Sequence, residues 1–270
     1  MPSTLKVITF NIGMGYLNVK LERSWRRNPV LRKAGRVMPS LDRTWQSRGW
    51  LRRVDILGLQ EVCHADSGQI PYFEKVFRPE GIAVHHHAGQ ESPDARDDCR
   101  KGQATLSRFA IRNSGVLQLP RVGSDRATIW ADIPIAGMKA ARGSLLRVYN
   151  VHLSNREGKN WRPLDGRVRQ IQVVLDHARQ LEAEAPGAPV VILGDFNSLG
   201  DLLRPADEEP AIELVKREFS SALTRFTQTF MLPYMTDWIF YRHLRLESAG
   251  VARIFFSDHF PVVASFNLDP

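Results

Sequence analysis

The sequence is poor in cysteine and in long apolar runs. Its 270 residues include two cysteines, Cys63 and Cys99, which excludes the multi-bridge framework that small secreted domains depend on. Two free thiols are the expectation. No histidine pattern accompanies them at zinc-ligand spacing, so a bound metal is expected on oxygen ligands. No stretch reaches the roughly 18 to 20 continuous apolar residues of a membrane span. The chain enters a strand-like run within Met1–Asn11 with no basic region and apolar signal core ahead of it, and the expectation is a soluble, cytoplasmic protein. Repeats of fixed period and low-complexity tracts are also missing.

What is present is an ordinary globular balance, 43% apolar and 24% charged, enough to bury one large core. Neither of the two least regular stretches, Gly89–Arg100 and Ser198–Pro210, reads as a linker, so one domain over 1–270 is expected. The formal net charge is +8, and it is concentrated. Val19–Arg53 carries eleven Lys or Arg against Glu22 and Asp42, which leaves the rest near neutral. This basic insert also holds Trp25, Trp45 and Trp50. It reads either as a surface tracking a phosphate backbone while indoles stack on bases, with Arg23, Arg26 and Arg27 among its contacts, or as a solvated helix with its tryptophans turned inward.

Short runs rich in Val, Ile, Leu and Phe, bounded by turn residues, predict strands at Leu5–Phe10, Ile56–Leu59, Gly102–Leu106, Thr128–Ile133, Leu145–Val151, Val190–Leu193, Trp238–Tyr241 and Val262–Phe266. Helical spacing is clearest over Arg167–Glu184, where Val168, Ile171, Val174, Leu175 and Ala178 share a face and Pro186-Gly187 ends the run. A second helix is expected within Ile212–Ser220, and a third in the basic insert. Many strands with few helices between them fit an α+β arrangement of two packed sheets flanked by helices.

Polar residues cluster where these apolar runs end. Asn11 closes V-I-T-F-N, Glu61 sits in L-Q-E-V, His152 in V-Y-N-V-H, Asp195 and Asn197 in G-D-F-N, Asp237 in T-D-W-I-F, and Asp258-His259 in S-D-H. Any one such residue is more ordinarily a cap or a turn residue. Together they contain what phosphoester hydrolysis needs: a cation held near the non-bridging oxygens and a base for the incoming water.

In order and wording these motifs, with L-S-R at Leu106–Arg108, resemble the endonuclease/exonuclease/phosphatase (DNase I-like) superfamily from Thr9-Phe10-Asn11 to Ser257-Asp258-His259. The resemblance implies a four-layer sandwich of two mixed β-sheets with helices outside and an active site at one edge. It also implies a divalent cation, Mg2+ with Mn2+ as substitute, on Glu61, with Asn11 contributing a carbonyl oxygen. A hard ion of this kind takes one or two carboxylates and keeps its waters. His259 is expected as general base, with a pKa near neutrality and Asp237 orienting it. Asp195 is expected to orient the water, Asn197 to donate to the phosphate, and His152 to meet the developing charge or protonate the leaving oxygen. Asp258 is either a second metal ligand or a support for the His259 loop. Arg126 either reaches a phosphate or is a surface arginine, and Gln103 is placed to face the cleft. His85, His86 and His87 are consecutive, so in a strand they alternate faces and do not share one ion.

Within the superfamily the basic insert favours a nuclease acting on DNA or RNA. The alternatives are a phospholipid or small phosphoester hydrolase, whose basic segment meets an anionic membrane surface, and a catalytically inactive binding module. The L-S-N-R after His152 departs from the abasic-site endonuclease pattern.

Overall fold

The computed structural model describes residues 4–13, 54–64, 70, 81–88, 101–135, 145–157, 159, 164–200, 209–253 and 257–268. The basic insert with Arg23, Arg26 and Arg27 lies outside them, as do Cys99 and the helix expected in the insert.

Twelve strands form two six-stranded sheets. They are β1 Thr4–Asn11, β2 Ile56–Cys63, β3 Ala83–Ala88, β4 Lys101–Ser107, β5 Asn113–Gln118, β6 Ala127–Pro134, β7 Leu145–His152, β8 Val190–Gly200, β9 Ser220–Ser221, β10 Met235–Arg242, β11 Arg245–Val251 and β12 Val262–Asn267. The first sheet runs β11-β12-β1-β2-β4-β3 and the second β5-β6-β7-β8-β10-β9. Both are mixed: β1–β2 and β7–β8 are parallel, and the remaining pairs are antiparallel. The expected α+β sandwich of two mixed sheets is what the chain forms.

Helix α1 spans Leu164–Glu184 and buries Gly166, Arg167, Gln170, Ile171, Val174, Leu175 and Ala178, a stripe at three- and four-residue spacing. Its apolar members belong to one core with the strands of the second sheet. It starts three residues earlier than the apolar pattern alone indicates. Helix α2, Pro210–Lys216, opens on a proline, a residue suited to a first turn where its missing N–H costs nothing.

Between the sheets the inward rows follow the two-residue period of a strand. Val7 and Ile56 join Val148, Val191 and Leu193 in a single core, and a Cβ at Gly58 would sit 2.1 Å from Leu193 Cδ1, so the sheets approach closely there. The next residues along these rows are polar. Gln60 Nε2 donates to Asn150 Oδ1 at 2.7 Å and to Thr9 Oγ1 at 3.0 Å. Asn150 Nδ2 donates to the carbonyls of Leu59 and Ala104, and Gln103 Nε2 to that of Asn150. Each amide finds partners on the facing sheet, which is what permits a polar layer in a dry interior. One step further along lie Asn11, His152 and Asp195.

Candidate active site

Backbone irregularities aim the site. Pairing of β2 with β4 shifts register between Gln60 and Val62, and Glu61 at that bulge has φ 53°. A bulge turns one side chain out of the strict alternation, and here it points Glu61 to the same end as Asn11 and His152. Asn197 has φ 50°, also in the left-handed region that is costly for a residue with a Cβ. Gly194 has φ 146°, and a Cβ there would lie 2.0 Å from the Val151 carbonyl oxygen. Glycine thus lets β7 and β8 close up so that His152 pairs with Asp195.

His259 is held from below. Its Nδ1 meets Asp237 Oδ2 at 2.8 Å, Asp237 Oδ2 also accepts from Thr236 Oγ1 at 2.8 Å, and the Phe230 ring packs edge-on to the imidazole with centroids 4.8 Å apart. Asp195 Oδ2 lies 3.9 Å from His259 Nε2 and 3.6 Å from His152 Nε2, and it accepts from Asn11 Nδ2 at 2.9 Å. His152 Nδ1 meets Arg126 Nη1 at 3.0 Å. A guanidinium can only donate, so Nδ1 carries the lone pair and Nε2 the proton.

The charges follow from these contacts. Burial works against charge on His259, but Asp237 and Asp195 outweigh it and push the imidazolium up to about 10. Burial lifts the Asp195 carboxyl to about 7, with His259 opposing it. Burial and then the Arg126 charge hold His152 well below the ordinary histidine range, consistent with a neutral ring. Glu61 is ionised despite burial, brought down to about 2 chiefly by Lys101. Its Oε2 pairs with Lys101 Nζ at 3.1 Å, and its Oε1 lies 3.9 Å from His152 Nε2.

The structure gives each of the expected residues its surroundings. His259 does not keep a near-neutral pKa; the group near 7 is Asp195. Asn197 donates its backbone N–H to Asp195 Oδ1 at 2.8 Å and its Nδ2 to the Leu153 carbonyl at 2.8 Å. Gln103 is buried and donates from Nε2 across the sheets to the Asn150 carbonyl at 3.0 Å. Arg126 is in the site, at His152. Asn11 Oδ1 accepts from the Gly13 N–H at 2.9 Å, and Asp258 lies beside it, since a Cβ on Gly13 would be 3.3 Å from Asp258 Oδ1. Lys101, Gln60, Asn150 and Thr236 were not anticipated. The signal for Gln60 and Asn150 was a polar letter inside an apolar strand; for Lys101 there was none.

Among the described residues, one group of side chains presents metal-ligand atoms within close reach of one another. Asp195, Asp237 and His259 present ligand atoms all within 4.8 Å of one another, but each already takes part in the hydrogen bonds above. Asn11 at the end of β1, Glu61 on β2 and Asp258 before β12 carry oxygen ligands of the kind a hard cation takes, and Asn11 and Asp258 both lie against Gly13.

Two mixed sheets with polar side chains converging at one end define a DNase I-like phosphoesterase fold. The model of the endonuclease/exonuclease/phosphatase family matches residues 8–259, and the chain belongs to that family. Its structure is similar to the human nocturnin catalytic domain with bound sulfate, at 19% identity and TM-score 0.68, covering 99% of this chain and 95% of that one. It is similar to ANGEL2, a 2',3'-cyclic phosphatase, at 17% identity and TM-score 0.66 over 99% and 96%. It is also similar to truncated Caenorhabditis elegans TDP2, at 18% identity and TM-score 0.62 over 98% and 97%. No curated protein sequence matches the chain.

Proposed function

We propose that this chain hydrolyses phosphoesters, acting as a single domain on nucleic acid, with Mg2+ or Mn2+ held by Glu61, Asn11 and Asp258. The observation that carries the reading is Asp195 Oδ2 set between two imidazoles, 3.6 Å from His152 Nε2 and 3.9 Å from His259 Nε2. Those separations suit oxygens of a phosphate or a water in hydrogen-bond reach of all three groups.

Proton handling then falls to a pair. His259, kept charged by Asp237, donates from Nε2 to the attacking water or a phosphoryl oxygen, while Asp195 takes the water's proton. His152, neutral and held by Arg126, donates Nε2–H to the developing negative charge. Asn11 and Asn197 fix the Asp195 carboxylate. When bound, the divalent ion neutralises charge on the phosphoryl oxygens. The donor set fits such an ion because Glu61 is an ionised carboxylate whose Oε1 faces the reaction centre.

The basic insert supports nucleic acid as substrate, and ANGEL2 is a fold neighbour that acts as a 2',3'-cyclic phosphatase. A second reading, a phospholipid or other small apolar phosphoester, has an observation of its own. Met231 and Leu232 are 52% and 55% exposed, on the turn whose Phe230 bridges His259. No helix among the described residues is long and apolar enough to cross a membrane. A substrate panel with Mg2+ decides: plasmid DNA, single-stranded DNA, RNA, sphingomyelin, an inositol phosphate and a bis-aryl phosphodiester. Turnover of DNA or RNA supports the first reading, and turnover of sphingomyelin alone replaces it with the second. No turnover of any of them overturns both.

A further inference from the structure

The Glu61 carboxylate is divided between two partners. Lys101, at the start of β4, faces Cys63 in the β2–β4 register, and the bulge at Glu61 brings its side chain across to that lysine. Lys101 Nζ takes Oε2 at 3.1 Å, while Oε1 faces inward, 3.9 Å from His152 Nε2. The Lys101 side chain is 37% exposed and that of Glu61 22%, so the lysine is the more solvent-facing of the two.

We propose that Lys101 is a specificity-determining residue for the metal ion: by holding Oε2 it limits Glu61 to one coordinating oxygen and so selects a small octahedral cation over Ca2+. This rests on the reading that Glu61 binds the ion. Mg2+ needs near-ideal octahedral geometry at about 2.0–2.1 Å and takes single carboxylate oxygens with several waters, whereas Ca2+, at about 2.3–2.6 Å with six to eight ligands, readily accepts both oxygens of one carboxylate. A carboxylate with one oxygen engaged by an ammonium favours the first kind of ion. With both oxygens released, the larger ion gains a ligand that the smaller one has no use for. Lys101 also adds positive charge, which weakens every divalent cation equally; selectivity is therefore read from the ratio of affinities and not from either alone.

The test is calorimetric titration of the full chain with Mg2+ and, separately, with Ca2+, in the absence of substrate, for wild type, Lys101→Met, Lys101→Arg and Glu61→Gln. Expected is a gain in Ca2+ affinity relative to Mg2+ of at least about fivefold in Lys101→Met, with Lys101→Arg near wild type because a guanidinium can hold the same oxygen. An unchanged ratio in Lys101→Met, with binding still lost in Glu61→Gln, overturns this inference and leaves the Glu61 site standing. Wild-type binding that survives in Glu61→Gln overturns both.

Discussion

Arg126 Nη1 lies 3.0 Å from His152 Nδ1, and because the guanidinium has no lone pair to offer, this contact fixes the imidazole as the Nε2–H tautomer. The expectation from sequence left His152 either to meet charge or to protonate a leaving oxygen. A neutral ring below its usual pKa range is a hydrogen-bond donor and a poor acid. Arg126, for which the sequence left a phosphate contact or a surface position, is part-buried against His152.

That relationship is testable by nitrogen NMR of the histidine rings. At pH 7, His152 should show a bare Nδ1 and a protonated Nε2 in wild type, and a mixture of tautomers in Arg126→Met. The same variant should lose activity by about 100-fold or more, the scale for removing an oriented transition-state donor. A protonated Nδ1 in wild type would remove the basis for this role.

Metal dependence gives the second prediction. A chelator should abolish activity, Mg2+ or Mn2+ should restore it, and Glu61→Ala should reduce it by about 100-fold or more. Full activity in excess chelator sinks the mechanism.

His259 links stability to pH. Its folded-state pKa is raised from 6.5 to about 10, with Asp237 and Asp195 overcoming burial. A group raised in this way binds its proton more tightly when folded, so the stabilisation is fully present below pH 6.5 and is lost as pH rises through about 10. The stability advantage of wild type over His259→Gln, measured by urea unfolding, should therefore shrink across that window. An advantage that instead grows with pH would mean the ring is neutral in the fold. Catalysis should respond lower on the scale: the acid limb of the rate profile is expected near Asp195's value of about 7, and Asp195→Asn should abolish that limb together with most of the activity.

All eight strands read from apolar runs are present, and they are the interior strands of both sheets. The four that were not read, β3, β5, β9 and β11, are the four sheet edges. An edge strand is covered less completely, so its sequence need not be apolar: neither Asn113–Gln118 nor Arg245–Val251 contains a fully buried residue. The candidate site residues were legible because they stand in or beside the apolar runs of interior strands. Supports such as Gln60 and Asn150 were not, because they acquire meaning only through partners on the opposite sheet, and one sequence does not show which residues face each other across a sandwich.

Asn150 is the centre of that layer and carries the fourth prediction. Asn150→Ala strips partners from Gln60 Nε2 and from the Leu59 and Ala104 carbonyls. Leaving buried polar groups unmatched should cost about 2–4 kcal/mol in urea unfolding. Asn150→Asp should also destabilise, since a carboxylate cannot donate to the two carbonyls. A loss below about 0.5 kcal/mol, the range of an ordinary surface substitution, would show that water replaces the amide.

The last prediction separates nucleic acid from lipid as substrate. If Val19–Arg53 lies along a phosphate backbone, its cations displace condensed counterions, and affinity must fall steeply as salt rises. Reversing Arg23, Arg26, Arg27 and Lys33 to Glu should weaken DNA or RNA binding and flatten the salt slope. Cleavage of a small phosphodiester should stay near the wild-type rate, because Glu61, Asp195 and His259 are unchanged. Replacing the exposed Met231 and Leu232 by serine tests the other side: it should leave nucleic-acid affinity intact, and it should reduce turnover of a substrate presented in vesicles if the apolar turn beside His259 meets lipid. Charge reversal that leaves both affinity and salt slope intact would make the insert a solvated face. A vesicle effect of the serine variant would then transfer the assignment to a phospholipid.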